Sequence, residues 1–177
     1  MSTAYRLFGS KEGLLLAVWQ QRFAQVGADV YRPEFFRLPV REAVPRFVRA
    51  LIDHALEPGA LRMFRLIVAE GALFPELRER IFPIVQQRII KPLETYLRGE
   101  VERRNLRLED PQYAAGRVGH LVRAEAFWCL LRGIDHPVKA ADKTRMVNEV
   151  VEIFWSILAA QPHTQSEAAS APRRQPA

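Results

Sequence analysis

The side chains that most often perform catalysis or bind metals are few and scattered in this sequence. Its four histidines and its single cysteine, Cys129, stand outside any catalytic or metal-binding spacing. There is no His-Glu-x-x-His pair, no glutamate followed three residues later by histidine, no glycine-rich phosphate loop and no Gly-x-Ser-x-Gly turn. The sequence therefore predicts a protein that is not an enzyme and that holds no metal or other cofactor.

A structural interpretation is the better one for the two most reactive candidates. His54 follows Asp53 on the polar edge of a predicted helix, where a boundary histidine is commoner than a catalytic one. Cys129 stands among Phe127, Trp128 and Leu130, which favours a buried and inert thiol. A lone cysteine also excludes an internal disulfide and is typical of a reducing compartment.

The first eighteen residues carry a pattern that suggests binding rather than catalysis. Thr3 and Tyr5 place two hydroxyls on one short helix, and such hydroxyls can meet phosphates or base edges. Phe8 follows as a candidate for a small core. Ser10 and Lys11 then open a second helix, whose free N–H groups and cation make a natural phosphate site. The alternative interpretation is a frayed N-terminus followed by a capped helix.

The overall composition is that of one ordinary globular domain. The 177 residues are 49% hydrophobic and 26% charged, enough to bury a core without disulfides or structural metals. The net charge of +6 is spread thinly along the chain, so charge alone gives little support for nucleic-acid binding. No apolar stretch approaches the ~20 residues of a membrane span, and the N-terminus lacks a signal-peptide pattern. We therefore expect a cytoplasmic protein.

Apolar residues recur at steps of three and four, which predicts an all-α fold with six main helices. The first runs from a Ser10 N-cap to Arg32, and the second covers 40–56. The remaining helices cover 61–73 (apolar on most sides and therefore buried), 77–104 (bent at Pro83 and Pro92), 111–132 (between an Asp110 cap and Gly133) and 141–160. Residues 161–177 contain no large apolar residue, which predicts a disordered tail.

At Thr3, Tyr5, Phe8, Ser10-Lys11-Glu12 and Leu14, the chain resembles the TetR family of bacterial transcriptional regulators. These positions match the family's junction between the recognition helix and the helix after it. Residues 63–77 resemble the buried helix and Phe-Pro-Glu-Leu turn of many of its regulatory domains, and the final two helices resemble its dimerisation pair. The resemblance implies a TetR-like helical bundle and a ligand-responsive regulator, usually a repressor.

The resemblance also implies DNA contacts from Thr3, Tyr5, Arg6 and Lys11. In the family, two further helices precede the recognition helix, and they do not occur ahead of Ser2. We therefore expect residues 1–9 to be a remnant of a helix-turn-helix domain, and the chain as written not to bind an operator specifically unless those helices are restored. Either Met1 is an internal methionine of a longer reading frame, which we favour, or the chain is a natural remnant.

The same resemblance implies a small-molecule pocket within a regulatory domain over residues 10–160. We expect the pocket among the helices 61–73, 77–104 and 111–132. Its candidate lining residues are Phe64, Ile67, Phe82, Val85, Ile89, Tyr96, His120, Arg123, Glu125, Phe127 and Trp128. For any single aromatic, plain core packing is the simpler interpretation, whereas His120 and Glu125 need partners if they are buried. The aromatic lining favours a hydrophobic or aromatic effector.

Two adjacent apolar stripes on the last helix predict a homodimer. Together they are broader than one core requires, so the surplus should cover a second copy. The candidate interface residues are Gly116, Gly119, Met146, Val147, Val150, Val151, Phe154, Ile157 and Leu158. We expect a four-helix bundle about a two-fold axis. The alternative function is a helical dimer that does not bind DNA and instead sequesters a full-length relative or a small ligand.

Overall fold

The computed structural model describes residues 3–30, 32–73, 79–80, 83–84, 86–123, 125–134 and 136–159. These residues form helices joined by short turns, and no strand occurs among them, which confirms the all-α prediction. No helix in these ranges combines the length and apolar character needed to cross a bilayer. The predicted tail, 161–177, lies outside the described residues.

The chain begins with α1 (Thr3–Phe8) and α2 (Lys11–Val30), separated by a sharp turn. Gly9 has a φ of +73°, a left-handed conformation that glycine adopts without a steric penalty. The Ser10 Oγ accepts the backbone N–H of Gly13 at 3.0 Å, which confirms the predicted N-cap. A Cβ at Gly13 would lie 2.1 Å from the carbonyl oxygen of Phe8, so the turn requires glycine there.

A 3-10 turn (Phe35–Arg37) leads into α3 (Val40–Ala55), and α4 (Pro58–Leu73) follows after a tight turn. The proline opens α4 at the first helical position, where its missing N–H costs nothing. The two helices differ in burial. On α3, apolar residues at helical spacing are fully buried, whereas on α4 Phe64 and Ile67 are half-buried and Val68 is 60% exposed. The expectation of a fully buried helix over 61–73 was therefore wrong.

A π-helical turn (Gln86–Ile90) runs directly into α5 (Lys91–Glu102). Pro92 is the second residue of α5 and has no N–H to donate to the carbonyl of Arg88, so the regular ladder is interrupted at this point. The sequence predicts an interruption at Pro92, and a new helix begins there. After α5 the chain reverses at Arg104, whose φ is +61°. The Glu100 carboxylate supports this reversal by accepting hydrogen bonds from Arg103 and Asn105.

The single helix predicted over 111–132 is two helices, α6 (Pro111–Leu121) and α7 (Glu125–Leu131). The Asp110 side chain caps α6 by accepting the N–H of Tyr113 at 2.8 Å, as predicted. The break lies at Arg123. Its Nη1 donates to the Gly119 carbonyl at 2.9 Å, and its backbone N–H donates to the His120 carbonyl at 3.1 Å. The side chain thus takes the carbonyl that a continuing helix would use.

Gly133 ends α7 with a φ of +78°, and the N–H of Ile134 donates to the carbonyl of Cys129 in a Schellman-type closure. The final helix is α8 (Ala140–Ala159). The buried core is formed mainly where α3, α5, α6 and α8 meet, around Phe47, Leu97 and Phe154. α4 and α7 lie beside this core.

Candidate ligand-binding site

Three aromatic side chains form a row between α4 and α7. The ring of Phe64 meets the ring of Phe127 edge to face, with centroids 5.2 Å apart. Phe127 in turn meets Trp128 in the same manner at 5.4 Å. Phe127 is buried, whereas Trp128 is 48% exposed. The middle ring of the row is therefore buried, and the row reaches the protein surface at Trp128.

An arginine on α4 fixes the end of α7. The Arg65 Nε donates to the carbonyl of Leu131 at 2.8 Å, and its Nη2 donates to the carbonyl of Leu130. These carbonyls stand at the end of a helix and carry the negative end of the helix dipole, and that of Leu130 also accepts the N–H of Gly133 at 3.0 Å. Because one guanidinium satisfies both, α4 and α7 are joined at this point.

Arg123 lies at the Phe64 end of the aromatic row. Its guanidinium lies over the Phe64 ring, with Cζ 5.4 Å from the ring centroid, in a cation–π contact. The residue is half-buried, and this burial lowers the pKa of the Arg123 guanidinium. Within the described part of the chain, its hydrogen bond goes to the Gly119 carbonyl and no carboxylate pairs with it.

The structure brings together four of the predicted pocket residues, namely Phe64, Arg123, Phe127 and Trp128. Ile67 is half-buried one turn beyond Phe64 on α4. Phe82 and Val85 lie outside the described residues, as do the side chains of Ile89 and Glu125. His120 is exposed.

Tyr96 belongs to a different cluster. Its hydroxyl donates to the Leu38 carbonyl at 2.7 Å and its ring packs on Phe36 at 5.2 Å, so it fixes the segment ahead of α3. Burial, together with the nearby Glu100 carboxylate, raises the pKa of Tyr96 to about 12. The hydroxyl is therefore a permanent hydrogen-bond donor in this position.

A long-range ion pair connects α4 to the N-terminal helices. The Lys11 Nζ lies 2.9 Å from both carboxylate oxygens of Glu70, across 59 positions of the chain. The Glu70 side chain is 16% exposed and that of Lys11 is 52% exposed. Lys11, a predicted DNA contact, is thus engaged with the regulatory helix. Arg6 is exposed on α1, and the side chains of Thr3 and Tyr5 lie outside the described ones.

The predicted dimer residues divide into two groups. Met146, Val147, Val150 and Phe154 are buried within the single chain, and Gly119 packs against Ile90. Val151, Ile157 and Leu158 are half-buried, and a side chain at Gly116 would meet nothing within 4 Å. Three apolar side chains of the C-terminal helices and the turn between them remain open: Trp128, Ile134 and Ile153, which are 48%, 49% and 43% exposed.

A separate surface groove of about 580 Å³ lies between the segment ahead of α3 and α3 itself. Sequence reasoning did not find it, because it is formed by residues from two segments: Arg32, Phe35, Pro45, Arg46, Arg49, Ala50, Asp53, His54 and Glu57. Burial raises the pKa of Asp53, but hydrogen bonds from Lys143 and Arg49 outweigh it, and the pKa is lowered overall. The described residues contain no group of three or more His, Cys, Asp or Glu side chains placed to hold a metal.

Sequence reasoning also missed Arg65 and Glu70, the two residues that connect α4 to its neighbours. The available signal was the placement of two charges on a largely apolar helix, because such charges need partners when partly buried. The partners themselves, a helix terminus and a lysine 59 positions away, could not be identified from spacing.

The described residues form an all-α domain preceded by the short helix α1. A protein from Mesorhizobium loti MAFF303099, assigned to the TetR family of transcriptional regulators, has a similar structure with a TM-score of 0.75 at 20% identity, covering 88% of this chain and 78% of that one. A TetR-family regulator from Pseudomonas syringae pv. tomato str. DC3000 gives a TM-score of 0.64 at 21% identity, covering 86% and 75%. At these identities the likeness establishes the fold.

The family model for the C-terminal domain of AefR-like transcriptional repressors matches residues 42–159, about two thirds of the chain. The chain therefore belongs to the TetR family of transcriptional regulators, which confirms the resemblance carried by the N-terminal motif. Members of this family are regulators and not enzymes. No curated protein matches the chain.

Proposed function

We propose that this protein is a ligand-responsive transcriptional regulator that acts as a homodimer, with repression as its mode of action. Its effector is a small hydrophobic or aromatic compound that binds beside α4 and α7. Thr3, Tyr5, Arg6 and Lys11 would contact operator DNA only as part of a complete helix-turn-helix domain. The observation that carries the proposal is the Lys11–Glu70 ion pair, because it connects the helix beside the aromatic row to the start of α2.

α4 has the geometry of a connecting element. Phe64 and Arg65 contact α7 or its neighbours near the middle of α4, and Glu70 meets Lys11 about 9 Å further along the helix axis. A ligand that moves α4 relative to α7 would therefore move the α1–α2 junction as well. Dimeric regulators must hold their DNA-reading heads about 34–36 Å apart, so a small shift is enough to change DNA binding.

The open apolar residues on the C-terminal side support the homodimer. Ile153 projects from α8, and Ile134 lies in the turn between α7 and α8. The open space at Gly116 on α6 would allow a helix of a second copy to approach closely. Burying such side chains against a partner removes apolar surface from water at a gain of about 25 cal/mol per Å².

A distance measurement between the two copies tests ligand response without knowledge of the operator. A spin label at exposed position 6 (Arg6→Cys in a Cys129→Ser background) reports the separation of the two α1 helices by pulsed electron resonance. The dye anilinonaphthalene sulfonate serves as the ligand probe. We expect a defined separation in the free dimer and a shift of several ångström when the dye is bound.

The link through α4 is tested in the same experiment. Glu70→Gln should reduce the dye-induced shift, because the neutral amide holds Lys11 less strongly. Glu42→Gln is the matched control, since it removes an exposed ion pair with Arg46 on α3, far in sequence from the junction. If the distance between the two α1 helices does not change when the dye binds, the ligand-responsive regulator is contradicted and a sequestering dimer is favoured. If the protein forms no dimer, both functions are contradicted.

A further inference from the structure

Arg123 occupies a place where a cation is costly. It stands in the break between α6 and α7, half-buried, with its guanidinium over the ring of Phe64. Removing a charged group from water costs free energy unless an opposite charge or several hydrogen bonds replace the lost hydration. Burial lowers the pKa of the Arg123 guanidinium, as this cost predicts.

The protein compensates Arg123 only in part. A guanidinium has five N–H donors, and one of those on Arg123 goes to the Gly119 carbonyl. Two other arginines show fuller compensation: Arg65 meets two carbonyls at the end of α7, and Arg103 meets the Glu100 carboxylate. In the described part of the chain no carboxylate meets Arg123. Among the described side chains none accepts the other N–H donors of Arg123, and an anion from outside the protein would be a suitable partner for them.

The surroundings of Arg123 also indicate what kind of anion would bind. The rings of Phe64, Phe127 and Trp128 form the row that begins beneath the guanidinium and ends at the surface. Such rings bind a flat aromatic body by stacking and edge contacts. A fully aliphatic or strongly polar ligand would gain less from this row.

We propose that Arg123 is the anion-binding residue of the effector site, and that the effector is an aromatic compound carrying one ionised oxyanion group, such as a carboxylate or sulfonate. The oxyanion would take the remaining guanidinium N–H donors in the planar geometry that arginine offers, and the aromatic body would lie along the row of rings. The inference rests on the proposed function, because it names the chemical class of the ligand for that site.

Two dyes with the same aromatic body test this directly. Anilinonaphthalene sulfonate and phenylnaphthylamine differ in one sulfonate group, and both fluoresce when they enter an apolar site. We expect the full chain to bind the anionic dye more tightly than the neutral one. Arg123→Gln keeps a donor for the Gly119 carbonyl but removes the charge, and it should weaken binding of the anionic dye about tenfold while changing the neutral dye less than about twofold.

Arg117→Met is the matched control. Arg117 also lies over an aromatic ring, that of Tyr113 at 4.8 Å, but it is exposed, on α6. Its loss should leave the preference for the anionic dye unchanged. Arg123→Lys provides a second variant that keeps the charge and should retain part of the preference. Unchanged binding of the neutral dye in each variant shows that the site is still folded.

Three results would overturn the assignment: no preference for the anionic dye in the wild type, an unchanged preference in Arg123→Gln, or an equal weakening of the binding of both dyes in Arg123→Gln. The last result would make Arg123 a structural residue only. Failure of the proposed function has a different signature. In that case the dyes would bind with the expected dependence on Arg123, but the separation of the labels at position 6 would not change.

Discussion

The two sides of the helical domain are packed in different ways. On one side, α3, α5, α6 and α8 bury Phe47, Leu97, Val118 and Phe154 almost completely. On the other side, α4 contributes only Leu61 to the buried core among its described side chains, and Val68 is 60% exposed. Several α4 side chains pack on the core but stay only partly buried, and the other contacts of α4 are ring edges, an arginine on a helix end and one ion pair.

The comparison teaches where the protein can change shape. Close-packed cores resist deformation because any shift leaves voids or overlaps, whereas polar links and half-buried rings can rearrange at lower cost. The side formed by α3, α5, α6 and α8 therefore suits a constant frame and a dimer scaffold. The α4–α7 pair suits the part that responds to a ligand and transmits the response through Glu70 to Lys11.

The largest effect should come from the core. Phe154→Ala removes a fully buried ring on α8 and should lower the free energy of unfolding by about 3–5 kcal/mol. Phe64→Ala on α4 removes a half-buried ring and should cost about 1–2 kcal/mol, because less contact is lost. Denaturant unfolding followed by circular dichroism gives both values. Equal losses at the two positions would remove the distinction between the two sides.

A charged substitution on the exposed face of α8 tests the proposed dimer interface. Ile153 is 43% exposed on α8, and Ile153→Glu should convert a dimer into a monomer, since a carboxylate cannot be buried against a second apolar surface without a partner. Sedimentation velocity at micromolar concentration reports the change, with Glu149→Gln on the same helix as a control that keeps the dimer. A dimer that survives Ile153→Glu would place the interface elsewhere.

A smaller effect, with a defined pH dependence, should appear where α3 meets α8. Asp53 accepts hydrogen bonds from Lys143 and Arg49, and its pKa is lowered in the folded protein. A lowered carboxyl pKa adds stability above the unfolded pKa, near 4, and this stability is lost as the pH falls through the folded pKa. Asp53→Asn should therefore cost about 0.5–1 kcal/mol at pH 7 and less at pH 3. An equal cost at both values would contradict the ion-pair account.

The smallest effect on stability should come from removing the Lys11–Glu70 ion pair, which links α4 to the start of α2. Glu70→Gln should change the free energy of unfolding by less than about 1 kcal/mol, because the Lys11 side of the pair is half exposed. The same variant should still reduce the dye-induced shift of α1. A large loss of stability would instead make the pair a structural element of the fold.

Much of the fold could be predicted from the sequence. Helical spacing predicted α3 and α8 to within one residue at each end, and cap residues placed the starts of α2 and α6. The break between α6 and α7 could not be predicted. The apolar spacing continues across residues 122–124, and the interruption depends on a hydrogen bond between the Arg123 side chain and a carbonyl one turn earlier.

Only part of the candidate site could be predicted from the sequence. Phe64, Phe127 and Tyr96 were all predicted to line one pocket. Phe64 and Phe127 meet, whereas Tyr96 packs elsewhere, against Phe36. Apolar periodicity shows which face of a helix is buried, but it does not show which other helix packs against that face. The connecting role of Glu70 depends on a pairing over 59 positions, which a single sequence does not specify.

Amide hydrogen exchange tests the difference between the two sides most directly. We predict faster exchange in α4 and α7 than in α3 and α8 of the free protein, and slower exchange in α4, α7 and the start of α2 once anilinonaphthalene sulfonate is bound, with α3 and α8 unchanged. Uniform protection in the free protein, or a dye response confined to α3 and α8, would contradict the assignment of α4 and α7 as the responsive side.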